Sequence, residues 1–336
     1  MSVTIALKPL YPFFLGGVKE LRPTTAPLSR HIPSIYTVGG IVLTMLQRKG
    51  FDAEELERLI LDGELRILGA YMSVDDRSYV PAPFTLIRKE VGGEHGRLAL
   101  IRIVEEQWAE GLFKRAGFKV PFDPSVRVKH AAGLIPIDRL PEIDVKGFCG
   151  FKPRRSEKLG IAIDRFKRTT LRPYLYTRVD VEGVEAGKGS LAFCVDVEGS
   201  ADVVDVLGRA EELIRFGGEG SIAVAAGCPE CGGVLAKKVV EKLKEGGTYL
   251  AVSHVRVGLV DKEFSVRVKD EVFSVEWCVG RVEPISGWLL RKRRPKKTVA
   301  ALVPGSVFKV KRFKEKVQLD EWYFNLLSSV VEIKVS

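Results

Sequence analysis

Two glycine-bearing stretches in this chain present backbone N–H groups in the way that anions require. The first, Gly217-Gly218-Glu219-Gly220-Ser221, stands between a helical and a strand pattern. Glycine adopts positive φ without a Cβ penalty and lets successive amides face one ligand. The order is the reverse of nucleotide-binding loops, in which the glycines follow a strand and open a helix, and no Gly-Lys-Ser/Thr follows. A triphosphate site is therefore disfavoured, and the plain alternative is a helix C-cap with a tight turn. The second stretch, Ile32-Pro33-Ser34-Ile35-Tyr36-Thr37-Val38-Gly39-Gly40, lies at the mouth of a predicted helix. Ser34 supplies a cap hydroxyl, free amides there suit a phosphate, and Tyr36 offers a stacking face for a base. Gly39 and Gly40 each cost about 1 kcal/mol relative to Ala inside a helix. Something must come close to them, either a ligand or a packed sheet.

Metal and nucleophile chemistry find less support. Cys228-Pro229-Glu230-Cys231 is half a zinc site without a second pair, and Cys149, Cys194 and Cys278 are isolated. A reduced turn pair or a disulfide explains the two cysteines more simply. His31, His95, His130 and His254 are scattered. His31, beside the helix mouth, is the one placed to act as a general base in RNA cleavage, with a polar loop residue as the simpler reading. Asp75 and Asp76 fit an exposed turn, and Trp288 fits a core anchor better than a stacking platform.

The charge is segregated. Lys152–Arg172 carries eight Lys/Arg against Glu157 and Asp164, a net of +6; Arg291–Lys297 carries +6 and Lys309–Lys316 carries +4, while the whole chain is +10. The remainder is therefore acidic, and the basicity is local. Concentrated positive charge attracts polyanions and exchanges counterions for phosphates, although three solvated basic surfaces would have the same composition. With 46% hydrophobic and 29% charged residues in 336, the chain is folded rather than disordered. No apolar run approaches the roughly 20 residues of a membrane span, and the opening segment is not a signal peptide, so a cytoplasmic location is expected. Three Gln, one Asn and many Lys, Arg and Glu resemble the composition of heat-adapted proteins.

The elements that must position these groups follow from periodicity. Val3–Lys8 alternates as a strand, Ser34 caps a helix running to about Lys49 with Gly50 beyond, and Asp52 with Glu55 opens a second helix. Leu65–Met72, Arg77–Leu86 and Arg97–Glu105 read as strands; Gln107–Phe151 has no clean period. Leu159–Asp164 is a strand flanked on both sides by the first basic cluster. Then come a strand at Leu191–Val197, a helix over Asp202–Phe216 closed by Gly217, a strand at Ile222–Ala226, a helix over Leu235–Lys244 and a strand over Tyr249–Leu259. A meander follows at Phe264–Val268 and Val272–Val279, with a basic strand at Val307–Phe313; Trp322–Val331 suits either helix or strand.

In their order along the chain these pieces resemble the RAMP superfamily of CRISPR proteins, and most closely the third-subunit family of type III-B Cmr complexes. The resemblance rests on the opening strand, the Ile32–Gly40 helix mouth, Tyr79-Val80-Pro81-Ala82-Pro83, and Gly160-Ile161-Ala162-Ile163-Asp164 leading through Arg168 to Leu175-Tyr176. It continues through the glycine-rich loop, Gly287-Trp288, Arg294-Pro295-Lys296 and Pro304-Gly305-Ser306-Val307. It implies an α+β fold of two ferredoxin-like, RRM-related domains packed together with inserted loops and hairpins, divided here as 1–150 and 151–336.

The resemblance also implies a non-catalytic subunit without a cofactor. Its partners would be the single-stranded 5′ tag of a guide RNA, the large polymerase-like signalling subunit and a backbone RAMP subunit, with no membrane. Ser34, Tyr36, Gly39 and Gly40 match the helix mouth, Gly217, Gly218, Gly220 and Ser221 the loop, and Arg165 and Arg168 the central basic stretch. Arg154 and Arg155 join them as phosphate-holding guanidiniums. Ser221 departs from the family pattern, which often carries a basic residue there, so the loop would act through its amides. The aromatic stacking signature of ordinary RRMs is absent. The rival readings are a RAMP-type endoribonuclease using His31, a pure protein scaffold, and the corresponding subunit of a type III-A Csm complex.

Overall fold

A computed structural model describes residues 1–10, 12–13, 15, 32–74, 77–90, 98–100, 127–130, 133–143, 148–150, 153–164, 169–184, 191–217, 221–228, 231–289, 294–318 and 321–334. Two eight-stranded antiparallel sheets dominate it. In the first, the spatial order is Glu211–Arg215, Ile222–Cys228, Ser2–Pro9, Leu191–Glu198, Arg66–Val74, Arg77–Pro81, Gly133–Pro136 and Cys149–Gly150. The second runs Val282–Ile285, Val299–Leu302, Val255–Val260, Glu263–Val268, Glu271–Val279, Val307–Lys316, Thr248–Ala251 and Val330–Glu332. The expected α+β class holds in a sheet-rich form.

Three helices cover one face of the first sheet: α1 (Ile35–Arg48), α2 (Ala53–Leu61) and α3 (Ala201–Gly208). Each starts on a side-chain cap, which satisfies amides that a helix start leaves unpaired. Ser34 accepts from the Thr37 N–H, Asp52 from those of Glu54 and Glu55, and Ser200 from that of Val203. Strand alternation then divides the core. Ile5, Leu7, Phe193 and Met72 face Val38, Val42, Met45 and Leu46 of α1, whereas Tyr71 and Cys194 point the other way, onto Leu250, Val252 and Val307 of the second sheet.

Three expectations are corrected and one open reading is resolved. Residues 202–216 are not one helix, because the helix stops at Gly208 and Glu211–Arg215 forms an edge strand; Leu213 is 62% exposed while Ile214 is buried, a period of two. Leu235–Lys244 forms turns instead of a helix. Its start is fixed from outside by Asp196, a fully buried carboxylate that accepts from the Leu235 and Ala236 N–H groups at 2.8 Å each, from Thr4 Oγ1 at 2.7 Å and from Tyr71 Oη at 2.9 Å. The strand expected over Tyr249–Leu259 breaks into Thr248–Ala251 and Val255–Val260. Trp322–Val331, left open between helix and strand, supplies both: a 3-10 turn at Trp322–Leu326 and a strand at Val330–Glu332. Separately, the first sheet takes strands from Ser2–Gly150 and from Leu191–Cys228.

Candidate nucleic-acid interface

The first basic cluster lies on a two-stranded ribbon, Pro153–Asp164 paired with Thr169–Val184. At about 3.4 Å per residue its shorter arm spans about 40 Å. Arg154 stands opposite Gly183 and Arg155 opposite Val181, near the root; Arg165 and Arg168, in the connection between the arms, lie outside the described residues.

The root is tied to the first sheet by a reciprocal pair of backbone hydrogen bonds, Phe13 N–H to Val181 O and Val181 N–H to Phe13 O, each 2.9 Å. The Phe13 ring packs edge-on against Phe193 and Phe216, with centroids 5.5 and 5.4 Å apart. Phe216 leads directly into Gly217. A short aromatic chain thus sets the glycine turn beside the root of the basic ribbon.

That turn is a strand-to-strand connection rather than a helix C-cap followed by a strand. Gly217 has φ +83°, a left-handed conformation that favours glycine, and the Phe216 N–H donates to Ser221 O at 2.8 Å to close the loop. Ser221 is buried; Gly218 and Gly220 lie outside the described residues.

The helix mouth is used differently from expectation. Ser34 Oγ is engaged by the Thr37 N–H at 3.2 Å and lies 3.0 Å from Thr37 Oγ1. Tyr36 offers no free stacking face, since its ring is 7% exposed, meets Tyr323 edge-on at 5.7 Å and carries the Lys296 ammonium 3.9 Å from its centre. Gly39 is a close-approach position, where a Cβ would stand 2.9 Å from Leu326 Cδ1, whereas Gly40 is exposed with nothing within 4 Å. The described contacts of the helix mouth therefore run to the C-terminal segment, and those of the glycine turn run to the ribbon root.

The other two basic spans differ from each other. In the Val307–Lys316 strand the cations are matched by carboxylates: Lys309 with Glu276 at 3.1 Å, Lys311 and Arg312 with Glu263 at 3.0 and 3.3 Å, Lys314 with Asp261 at 3.4 Å, and Lys316 with Asp270 at 3.7 Å. Hydrogen bonds from Lys314, then Lys311, and also Arg312 hold the Glu263 carboxyl down to about 2. This span is a self-neutralised ribbon, not a free polyanion surface. In the Arg291–Lys297 run, Arg294 pairs with Glu321 at 2.7 Å and Lys296 is buried under three rings. Sequence reasoning missed that burial, along with Phe13, Asp196 and the Trp322-Tyr323 wall. Lys296 did fall within the Arg294-Pro295-Lys296 motif.

Cys228 and Cys231 form a disulfide. Cys194 is buried, and burial first, with the Asp196 charge second, pushes its thiol up to about 12. Among the described residues no group of three or more His, Cys, Asp and Glu is arranged to hold a metal, and no helix is long and apolar enough to cross a membrane. His31 lies outside the described residues.

The sequence profile of the CRISPR-associated protein family Cas_Cmr3 matches residues 5–334. The chain belongs to the Cas_Cmr3 family. This agrees with the resemblance to the third-subunit family of Cmr complexes drawn from the motifs. No match is found among curated proteins. Among solved structures, a chain of a type III-B Cmr-beta assembly bound to cognate target RNA and AMPPnP is similar at TM-score 0.52 and 17% identity, covering 91% of this chain and 86% of that one. A chain of the same kind of assembly bound to cognate target RNA gives 0.51 and 18%, with the same coverage. These likenesses concern the fold. The Cas_Cmr3 profile, by contrast, takes in both sheets, the ribbon and the glycine turn.

Proposed function

We propose that this Cas_Cmr3-family chain is an RNA-binding subunit of a type III-B CRISPR effector assembly. It holds the single-stranded 5′ tag of the guide RNA by its phosphates and bridges the large polymerase-like subunit to the backbone RAMP subunit. The observation that carries the reading is the Phe13–Phe216 contact, which sets the glycine turn against the root of the ribbon bearing Arg154 and Arg155. The amides of a glycine turn and the arginines carried at the ribbon root are the groups that suit a phosphodiester chain, and in this reading they make or break no covalent bond. Arg165, Arg168, Gly218 and Gly220 extend the same surface in this reading, with Ser34 and Gly40 at the helix mouth as a second point of approach.

The fold belongs to the same proposal. The central strands of the first sheet lie in the order fourth, first, third, second, with α1 after the first and α3 after the third. That is a ferredoxin-like arrangement. The N-terminal unit then comprises 2–81 together with 191–228, and the C-terminal unit runs from 248 to 334. The test is fluorescence anisotropy of labelled tag RNA with the full chain. Arg154→Ala with Arg155→Ala weakens binding across sequences while the RNA stays intact; unchanged binding, or cleavage of the RNA, overturns the reading.

A further inference from the structure

The strand Glu211–Arg215 ends the first sheet, with Ile222–Cys228 on one side and, among the described residues, no strand on the other. Which of its backbone groups face outward follows from its pairing. The Phe216 N–H donates to Ser221 O and the Gly227 N–H to Ala210 O, each at 2.8 Å, and the register between these pairs is unbroken. Antiparallel strands alternate hydrogen-bonded and non-hydrogen-bonded pairs, so Glu212 and Ile214 turn their amides and carbonyls inward. Glu211, Leu213 and Arg215 turn theirs to the open edge. The Arg48 guanidinium agrees with this direction, since it reaches Leu213 O from the α1 side at 3.2 Å. The side chains alternate as well. Glu212 pairs with Arg48 and Lys49, and Ile214 is buried, whereas Glu211, Leu213 and Arg215 share the other face and are exposed. Neither Glu211 nor Arg215 has an ion-pair partner among the described residues. Val224 lies beside Leu213 in register, and the exposed Ile222 beside Arg215. An edge built against pairing carries a charge, a proline or a bulge at its centre. This one carries a leucine there, and its ladder is regular.

We propose that this edge pairs with the same edge of a second copy of the chain, antiparallel about a two-fold axis at Leu213. The charge order makes the strand its own complement. Glu211 then stands opposite Arg215 of the second copy, Leu213 opposite Leu213, and Arg215 opposite Glu211. These are the residues whose backbone groups face outward, so each pair exchanges both of its N–H···O bonds. Opposite charges flanking an apolar pair favour this register. A slip of two residues either way sets Leu213 against a charge and separates the ion pairs. Leu213 O keeps a second lone pair for a strand amide beside Arg48. A two-fold contact of this kind closes on itself, giving a dimer and not a fibre. A five-residue edge buries little surface, so the dimer is reversible and concentration-dependent. The proposal is independent of the RNA reading and uses none of the residues placed at the ribbon, the glycine turn or the helix mouth.

The test is sedimentation velocity of the full chain from micromolar to near-millimolar concentration, with four variants at these exposed positions. The unaltered chain is expected to pass reversibly from monomer to dimer, with slowed hydrogen exchange at the Leu213 and Arg215 amides in the dimer. Leu213→Lys sets like charges at the axis and is expected to leave only monomer. Glu211→Arg and Arg215→Glu each set like charges opposite one another and are expected to weaken the dimer about 10-fold. Glu211→Arg together with Arg215→Glu restores the complement and is expected to restore the dimer. Thermal unfolding checks that all four variants fold as the unaltered chain does. A chain that stays monomeric throughout the range overturns the proposal. So does a dimer that Leu213→Lys leaves intact, or one that the single charge changes weaken and the double change does not recover.

Discussion

The ammonium of Lys296 lies 3.9 Å from the centre of the Tyr36 ring, joining a residue near the C-terminus to the first turn of α1 without an intervening oxygen. Burial pushes that ammonium down to about 8 from 10.5. Charges near the cluster among the described residues include Arg256, which lies over Phe324 and acts on Tyr36, Lys297, which acts on Tyr323, and the Arg294–Glu321 pair. Between about pH 8 and 10.5 the unfolded chain holds more protons at this lysine than the folded one, so stability rises with pH through that window. The rise amounts to about 3 kcal/mol at most. Urea unfolding at both ends of the window should show the gain in the native chain and not in Lys296→Met. Parallel curves would mean the lysine is not desolvated.

Asp196 ties three separate parts of the chain together, accepting from Thr4, Tyr71 and the 235–236 amides. Asp196→Ala leaves four donors without their acceptor and is expected to cost about 3 kcal/mol or more, against about 1 for Tyr71→Phe. Chemical denaturation measures both. Equal small losses would show that water replaces the carboxylate.

Gly39 and Gly40 are adjacent in sequence and opposite in environment. Gly39→Ala drives a methyl into Leu326 and is expected to destabilise the chain by about 1–3 kcal/mol, as overpacking does. Gly40→Ala meets open space and should stabilise α1 by up to about 1 kcal/mol. Thermal unfolding gives the two signs. A Gly40→Ala chain that is more stable yet binds tag RNA less tightly would show that the RNA backbone approaches this position.

The acid response has a local origin in Glu263. Its carboxyl is held at about 2 in the folded chain against an ordinary 4.5, so the stability it contributes is present above pH 4.5 and is lost as pH falls toward 2. The side chain is partly exposed, at 30%, so its pairs are screened by salt. In low salt, Glu263→Gln should flatten the stability profile between pH 4.5 and 2. An unchanged profile would show that the three cations around it contribute nothing measurable.

Local signals were legible where local chemistry decides. Ser34 and Asp52 announce their helices because a cap acts within three residues of itself. Residues 202–216 misled because Val203, Leu207 and Ala210 keep the helical period while Ile214 and Phe216 keep the strand period. What selects the strand is its pairing with Ile222–Cys228. The turns at 235–244 are begun by Asp196, some forty residues earlier, and no window of sequence contains both. At the candidate site, the glycine turn and the basic ribbon could be read from residue types. The burial of Lys296 could not, since its walls come from Tyr36 and the Trp322-Tyr323 segment, and a lysine in a basic run reads as surface.

The most direct test is the salt dependence of tag-RNA binding by the whole chain. With about six phosphates neutralised, log affinity should fall against log salt with a slope near −4. A slope indistinguishable from zero would show that no phosphate is gripped, and that the ribbon, the turn and the basic run serve some other end.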